Sequence, residues 1–127
     1  MDAITLIKLQ KDKAHRFLQE ADDMLLQKRW DLAANRYYYA CYHIVHAVFI
    51  SENIPVKTHD GTLSELGKHF ILTGKLDKKF GRFFARMIQL RIKADYNSVA
   101  EVSETEVREM APLSHEFVDN IEKILPL

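Results

Sequence analysis

The hydrophobic residues of the chain recur at the three- and four-residue spacing of amphipathic α-helices. This pattern predicts five helices, and no segment shows the apolar–polar alternation that is typical of a strand. The helices are expected at about residues 2–28, 30–53, 62–72 and 77–95, with a last one from Ser103. Four long helices and one short one with short connections predict a single all-α domain over residues 1–127, an antiparallel up-and-down bundle.

Apolar stripes on these helices predict the core. In the first helix the stripe comprises Ile4, Ile7, Ala14, Phe17, Leu18, Ala21 and Leu25. In the fourth it comprises Phe80, Phe83, Phe84, Met87, Leu90 and Ala94, and in the last Val107, Met110, Phe117, Val118, Ile121 and Leu125. Thr73-Gly74 indicates a helix end, and Ser103 with Glu106 matches a capping box. Pro112 is expected to kink or divide the last helix, because proline removes a helical hydrogen bond.

The second helix is apolar around most of its circumference, which is typical of a helix at the centre of a bundle. The same character predicts a homodimer. Its polar exception is a stripe with spacings of three, four and three residues, formed by Arg36, Tyr39, His43 and His46. Two histidines three residues apart can meet one metal ion, but no carboxylate shares their face. We therefore predict hydrogen-bonded histidines, no metal and no cofactor.

Charge and composition narrow the function classes. Lys plus Arg and Asp plus Glu number 18 each, a balance that argues against general electrostatic binding of nucleic acid but permits a local basic patch. Such a patch is predicted on the outer face of the fourth helix, formed by Lys75, Lys79, Arg82, Arg86 and Lys93. It is either a solvated face or a contact for phosphates or an acidic partner, and the acidic segment 101–109 can neutralise it.

The single cysteine, Cys41, lies in an apolar stretch and is expected to be a buried thiol in a reducing compartment. The first residues lack the pattern of a signal peptide, and no apolar run approaches membrane-spanning length. These observations predict a cytoplasmic protein. No phosphate-binding glycine loop or serine-nucleophile motif occurs, so composition and spacing alone identify no enzyme.

Arg91 is the most informative residue, because it falls inside the apolar stripe of the fourth helix. A guanidinium stays charged, so it must be paired, lie near the surface or line a cleft. Asp95 follows one turn later and can reach it, and Tyr96 lies at the helix end. The arrangement is either an ion pair that closes the end of the bundle or part of a functional site.

Four segments together resemble one known family. Residues 33–43 (AANRYYYACYH) are similar to the second-helix signature of prokaryotic HEPN proteins. Residues 57–61 (KTHDG) resemble the family's lysine-threonine-histidine turn, and residues 73–76 (TGKL) and 91–96 (RIKADY) match its later signatures. The motifs cover about residues 30–96, and the helix layout covers the whole chain.

This resemblance implies a helical bundle that dimerises through its central helices. Many HEPN proteins are metal-independent endoribonucleases, often toxins, in which an arginine precedes a histidine by four to six residues. Small members are often paired with a minimal nucleotidyltransferase. Here Arg91 matches the motif arginine, whereas Asp95 or Tyr96 stands near the position of the histidine. Ribonuclease activity would then need an imidazole from elsewhere, such as His43 or His59.

Two classes of function follow, with a third that is purely structural. The first is a toxin-type or accessory protein that acts on RNA or a nucleotide through Arg91, Asp95 and Tyr96, with weaker candidates in His43 and His59. The second is a non-catalytic module that binds a nucleotide or a nucleotidyltransferase, and the third is a structural homodimer. The predicted ligand-binding residues are Arg36, Tyr39, Lys57, Lys79, Arg82 and Arg86.

Overall fold

The computed structural model describes residues 1–96 and 101–126, and this part of the chain is helical without strands. The five helices are α1 (Ala3–Leu26), α2 (Trp30–Ser51), α3 (His59–Leu66), α4 (Lys78–Tyr96) and α5 (Glu104–Glu122). A π-helical turn, Gly67–Ile71, continues α3. The predicted all-α fold is confirmed.

Helix α2 lies at the centre of the bundle and packs against α1, α4 and α5. Its apolar circumference is therefore buried within one chain, and half of its residues have less than a tenth of their surface exposed. Burial of this surface is the main favourable term that holds the helices together. Because one chain accounts for the apolar character of α2, the predicted homodimer loses that support and stays a prediction.

Helix α1 packs along α2 over most of its length. Asp2 caps it, because the Asp2 Oδ1 accepts a hydrogen bond from the Thr5 backbone N–H at 2.8 Å. The predicted stripe is buried at Ile7, Ala14, Leu18 and Ala21 and half-buried at Phe17 and Leu25. It is wrong at Ile4, which is 55% exposed because no described element covers the first turn of α1.

Helix α3 begins at His59, three residues earlier than predicted. The reason is local: the Thr58 side chain accepts a hydrogen bond from the Gly61 backbone N–H at 2.9 Å and caps the helix. A Cβ at position 61 would lie only 2.9 Å from the Thr58 Oγ1, so a larger residue there would displace the capping side chain. Residues 59–61, which were predicted to lie between two helices, are therefore the first turn of α3, and His59 is part of it.

The stop predicted at Thr73-Gly74 is confirmed, since Gly74 has φ +80°. We expect Gly74→Ala to lower the free energy of unfolding by about 1–2 kcal/mol, because L-residues are strained in the left-handed region. Gly67→Ala is the matched control. Gly67 has helical dihedrals and open space around its Cα, so alanine there should stabilise by about 0.5–1 kcal/mol. Urea unfolding of both variants checks this, and equal effects would contradict it.

Helices α4 and α5 meet through aromatic rings. The rings of Phe84 and Phe117 stack with centroids 5.6 Å apart, and those of Phe80 and Phe83 also pack against Phe117. The predicted capping box at the start of α5 is confirmed at Ser103 and its partner three residues later. Of the two outcomes predicted for the proline, division of the last helix is wrong, because α5 runs unbroken through Pro112, whose exposed position loses only one helical N–H. A kink at this proline stays a prediction.

In the part of the chain that the structure describes, no helix is both long enough and apolar enough to cross a membrane.

Candidate functional site

The candidate site is built around Arg91, which points from the last turns of α4 and is only 7% exposed. Its guanidinium carbon lies 5.6 Å from the centroid of the Tyr38 ring and 5.5 Å from that of Tyr96. Both distances are in the range of a cation–π contact. The cation is therefore held between a buried tyrosine of α2 and an exposed tyrosine of its own helix.

The polar contacts of Arg91 are long. Its Nη1 lies 3.7 Å from the Asp95 Oδ2 and donates to the Tyr96 hydroxyl oxygen at 3.4 Å. The Arg91 Nε is buried and has no hydrogen-bond partner among the described residues. Normal charge-assisted bonds are about 2.7–2.9 Å long. The predicted Arg91–Asp95 pair is confirmed, but its long contacts and the partnerless Nε leave the hydrogen-bonding capacity of this buried cation incompletely used.

Asp95 is positioned by a residue that the sequence did not indicate. The Asn35 Nδ2 donates to both carboxylate oxygens of Asp95, at 3.1 and 3.2 Å. The Asn35 Oδ1 in turn accepts from the Arg36 Nη1 at 2.7 Å, and the Arg36 Nε lies 3.2 Å from the Glu20 Oε2. Polar contacts thus connect α1, α2 and α4 up to the carboxylate beside Arg91.

His59 belongs to the same cluster. Its Nδ1 is hydrogen-bonded to the Tyr38 hydroxyl, and its ring lies 5.0 Å from that of Tyr42 and 6.2 Å from that of Tyr39. Tyr38 therefore contacts both His59 and Arg91. Of the two histidines named from the sequence, His59 is the one that the fold brings to Arg91.

His43 packs against α1 and not against the residues around Arg91. Its Nδ1 is hydrogen-bonded to the Gln10 Oε1 of α1 at 2.7 Å, and its ring lies 5.3 Å from that of Phe17. Burial, together with Lys13 and other nearby cations, lowers the pKa of His43 to about 4. The structure therefore separates His43 from the Arg91 contacts and makes it a neutral residue of the α1–α2 interface.

This depressed pKa gives a pH prediction. The unfolded chain protonates His43 near pH 6.5, whereas the folded chain resists protonation down to about pH 4. The fold should therefore lose stability as the pH falls through this window, by about 2 kcal/mol or less because the ring is partly exposed. Urea unfolding at pH 7 and pH 5 should show a smaller loss for His43→Gln than for the unmodified chain. Equal losses would contradict the assignment.

The predicted basic patch on α4 is largely neutralised. Lys79 lies 2.8 Å from Glu116, Arg86 lies 2.9 Å from Glu109, and Lys93 lies 3.1 Å from Glu106. Lys75 pairs elsewhere, at 3.2 Å from Glu52. The neutralisation expected from the acidic segment is thus observed for Arg86 and Lys93.

Two other predicted ligand-binding residues lie apart from these pairs. Arg82 is exposed on the rim of a groove of about 260 Å³ between α4 and α5, and it has no ion pair among the described residues. Lys57 is exposed immediately before the cap of α3. Neither has a described contact with Arg91.

Residues 1–96 and 101–126 provide neither a metal site nor a reactive thiol. They contain no group of three or more His, Cys, Asp or Glu side chains that could hold a metal ion. Cys41 is fully buried, as predicted, and burial raises the pKa of its thiol far above the ordinary value. In the Arg91 cluster, a charged group that is only 7% exposed has a buried Nε without a hydrogen-bond partner among the described residues.

These features define a small all-α domain whose candidate site is a buried arginine at the end of a core helix, lined by tyrosines. The family model described as "HEPN domain" matches residues 7–124. The chain belongs to the HEPN family.

Curated relatives share most of its length. The "UPF0332 protein" of Thermotoga maritima is 31% identical over 120 residues, which cover 94% of this chain and 91% of that protein. Two proteins of Methanocaldococcus jannaschii are also similar. "Putative toxin MJ0605" is 30% identical over 88% of this chain and 83% of its own, and "Putative toxin MJ0142" is 27% identical over 90% and 78%.

Proposed function

We propose that this HEPN protein acts on RNA in the manner of a toxin and cleaves it at the cleft around Arg91 without a metal ion. The observation that supports this proposal is the Arg91 guanidinium, which is buried yet bonded only through contacts of 3.4 and 3.7 Å. A buried cation with unused donors is suited to binding a phosphate oxygen. The relatives named as toxins support the same class of function.

In this proposal each residue has one role. Arg91 binds the scissile phosphate and stabilises the negative charge that develops on it in the transition state. Asp95, held by Asn35, orients the guanidinium. Tyr96, 74% exposed beside Arg91, presents a hydroxyl whose oxygen accepts from the guanidinium and whose proton can be donated to the substrate.

The test is incubation of the purified protein with a mixed RNA pool in the presence of a metal chelator. We expect RNA fragments to form with the unmodified chain and with Lys78→Ala, which removes an exposed cation of the same helix. Arg91→Ala should not form them. Cleavage that persists in Arg91→Ala, or a chain that neither binds nor cuts RNA, would contradict the proposal.

A second candidate function is favoured by the exposure of Tyr96. A side chain that is 74% exposed next to a buried arginine is accessible to another protein, so the site can instead dock a minimal nucleotidyltransferase without catalysis by this chain. Co-expression with such an enzyme tests this reading. A complex that Tyr96→Ala abolishes, from a chain with no cleavage activity, would support it, and failure to form any complex would count against it.

A further inference from the structure

Metal-independent RNA cleavage through the 2′-hydroxyl needs a group that accepts its proton, and the last turns of α4 supply no imidazole for this. The residues that follow Arg91 on this helix include a carboxylate at Asp95 and a phenol at Tyr96, and no imidazole. Imidazole is the side chain whose ordinary pKa is best suited to exchanging a proton near pH 7. An imidazole has to come from another element.

The fold places one imidazole beside this arginine. His59, in the first turn of α3, is hydrogen-bonded through Nδ1 to the Tyr38 hydroxyl, and its ring centroid lies 5.6 Å from that of Tyr38. The Arg91 guanidinium carbon also lies 5.6 Å from the Tyr38 ring. His59 and Arg91 are thus fixed against the same side chain.

Tyr38 is a rigid support for both groups. It is fully buried, and its ring stacks on that of Phe84 with centroids 5.9 Å apart and an interplanar angle of 22°. A hydrogen bond to one ring nitrogen sets the orientation and tautomer of a histidine. The partner of His59 is therefore held by the core of the bundle.

Neither other histidine of the aromatic cluster fits as well. His43 is bonded to Gln10 of α1. His46 lies 4.1 Å from Tyr42, ring to ring, and its Nε2 is buried without a partner in the described chain. Of these three histidines, His59 is the one that is hydrogen-bonded to a side chain in contact with Arg91.

We propose that His59, positioned by Tyr38, accepts the proton of the RNA 2′-hydroxyl in this chain. The inference rests on the proposed RNA cleavage at Arg91. In the active tautomer the Nδ1–H donates to the Tyr38 oxygen and leaves the lone pair of Nε2 for the substrate. His59 is then a catalytic residue, and Tyr38 is a positioning residue.

The proposed reaction is a transesterification within the RNA backbone. The 2′-oxygen bonds to the adjacent phosphorus and gives its proton to the His59 Nε2. The bond between phosphorus and the 5′-oxygen breaks, and the leaving oxygen takes a proton from Tyr96. The products are a 2′,3′-cyclic phosphate and a 5′-hydroxyl, and water restores the proton states of both side chains.

The electrostatic surroundings favour the neutral form that a base needs. Burial and the charge of Arg91 lower the pKa of His59, whereas Asp60 on its own helix acts in the opposite direction. The other groups packed against the ring belong to α2 and are the tyrosines 38, 39 and 42, with His46 coupled to it through charge. The acidic limb of the pH profile for cleavage should therefore lie below the ordinary value for histidine.

The test is His59→Asn, whose amide can keep the hydrogen bond to Tyr38 while the second ring nitrogen is lost. We expect cleavage to fall about 100-fold with RNA binding unchanged, and the acidic limb to disappear. His69→Asn is the matched control, since His69 lies in the π-helical turn and pairs with Glu65 instead. Tyr38→Phe should keep the fold and shift the acidic limb, which loss of packing alone would not do.

A binding measurement separates this inference from the proposed function. An uncleavable 2′-deoxy analogue should shift the imidazole NMR signals of His59 in the unmodified chain and not in Arg91→Ala. Two results would overturn the role of His59 and leave the proposed function intact. The first is Arg91-dependent binding or cleavage in which the NMR signals of His59 do not move. The second is Arg91-dependent cleavage by His59→Asn with the pH profile of the unmodified chain. A chain that shows no Arg91-dependent binding or cleavage would overturn both.

Discussion

Arg91→Ala is expected to lower the rate of RNA cleavage by about 100- to 1,000-fold, the loss typical when one preorganised donor is removed from a developing negative charge. Arg91 is suited to this role because its guanidinium is only 7% exposed, and electrostatic interactions are stronger where water is excluded. Single-turnover cleavage with excess protein measures the chemical step directly.

Arg91→Lys is the informative companion variant. Lysine keeps the charge but loses the planar fork that binds two oxygens at once, so we expect it to recover only part of the activity. Full recovery would show that charge alone is sufficient and would contradict a bidentate contact.

Urea unfolding of Arg91→Ala tests whether its loss of activity is an indirect effect of lost stability. Its partner Asp95 is partly exposed and keeps its hydrogen bonds to Asn35, so the unpaired carboxylate stays satisfied. We expect the free energy of unfolding to fall by about 1–2 kcal/mol, mostly from lost packing of the arginine stem. The purely structural reading of the Arg91–Asp95 pair instead predicts a loss of about 3–5 kcal/mol and no change in RNA binding.

Phe117→Ala should have the largest effect on stability, a loss of about 3–5 kcal/mol in the free energy of unfolding. Phe117 is fully buried, and its ring contacts three phenylalanines of α4 at centroid distances of 5.6–5.9 Å. Truncation removes these contacts and leaves a cavity between α4 and α5. Because a domain of this size is stable by only about 5–15 kcal/mol, the variant should unfold at much lower urea concentration.

The matched control for Phe117→Ala is Leu113→Ala, one helical turn earlier on α5. Leu113 is 39% exposed, so its truncation should cost about 1 kcal/mol or less. If both variants unfold at the same urea concentration, the ring cluster is not the main contact between α4 and α5.

The helices could be predicted because the buried residues of each helix recur at helical spacing along one continuous segment of the chain. The nearly all-round apolar pattern of α2 indicated its central place. The spacing from Phe80 to Arg91 placed the arginine on the apolar face of α4 but left open whether it is paired, near the surface or in a cleft. The prediction failed where local chemistry overrides periodicity. Thr58 and Gly61 form a cap that starts α3 three residues before the predicted helix, and the unpacked first turn of α1 leaves Ile4 exposed.

The site was only half predictable, for a different reason. Arg91, Asp95 and Tyr96 are neighbours on one helix, so their spacing brings them together. Asn35 and His59 reach the same site from α2 and α3, and contacts between residues so distant in sequence leave no periodic signal. The family resemblance named His59 as part of a turn motif but could not place it against Tyr38.

The π-helical turn Gly67–Ile71 has a consequence for aligning relatives. Its last backbone bond runs from Leu72 to Gly67, five residues back, so this turn contains one residue more than an α-helical turn would. The extra residue lies inside a helical segment, although length differences between relatives usually fall in loops. A relative that is one residue shorter here would close an ordinary α-helical turn. The correct gap would then fall within residues 67–71, where it keeps the buried Phe70 in register with Phe49.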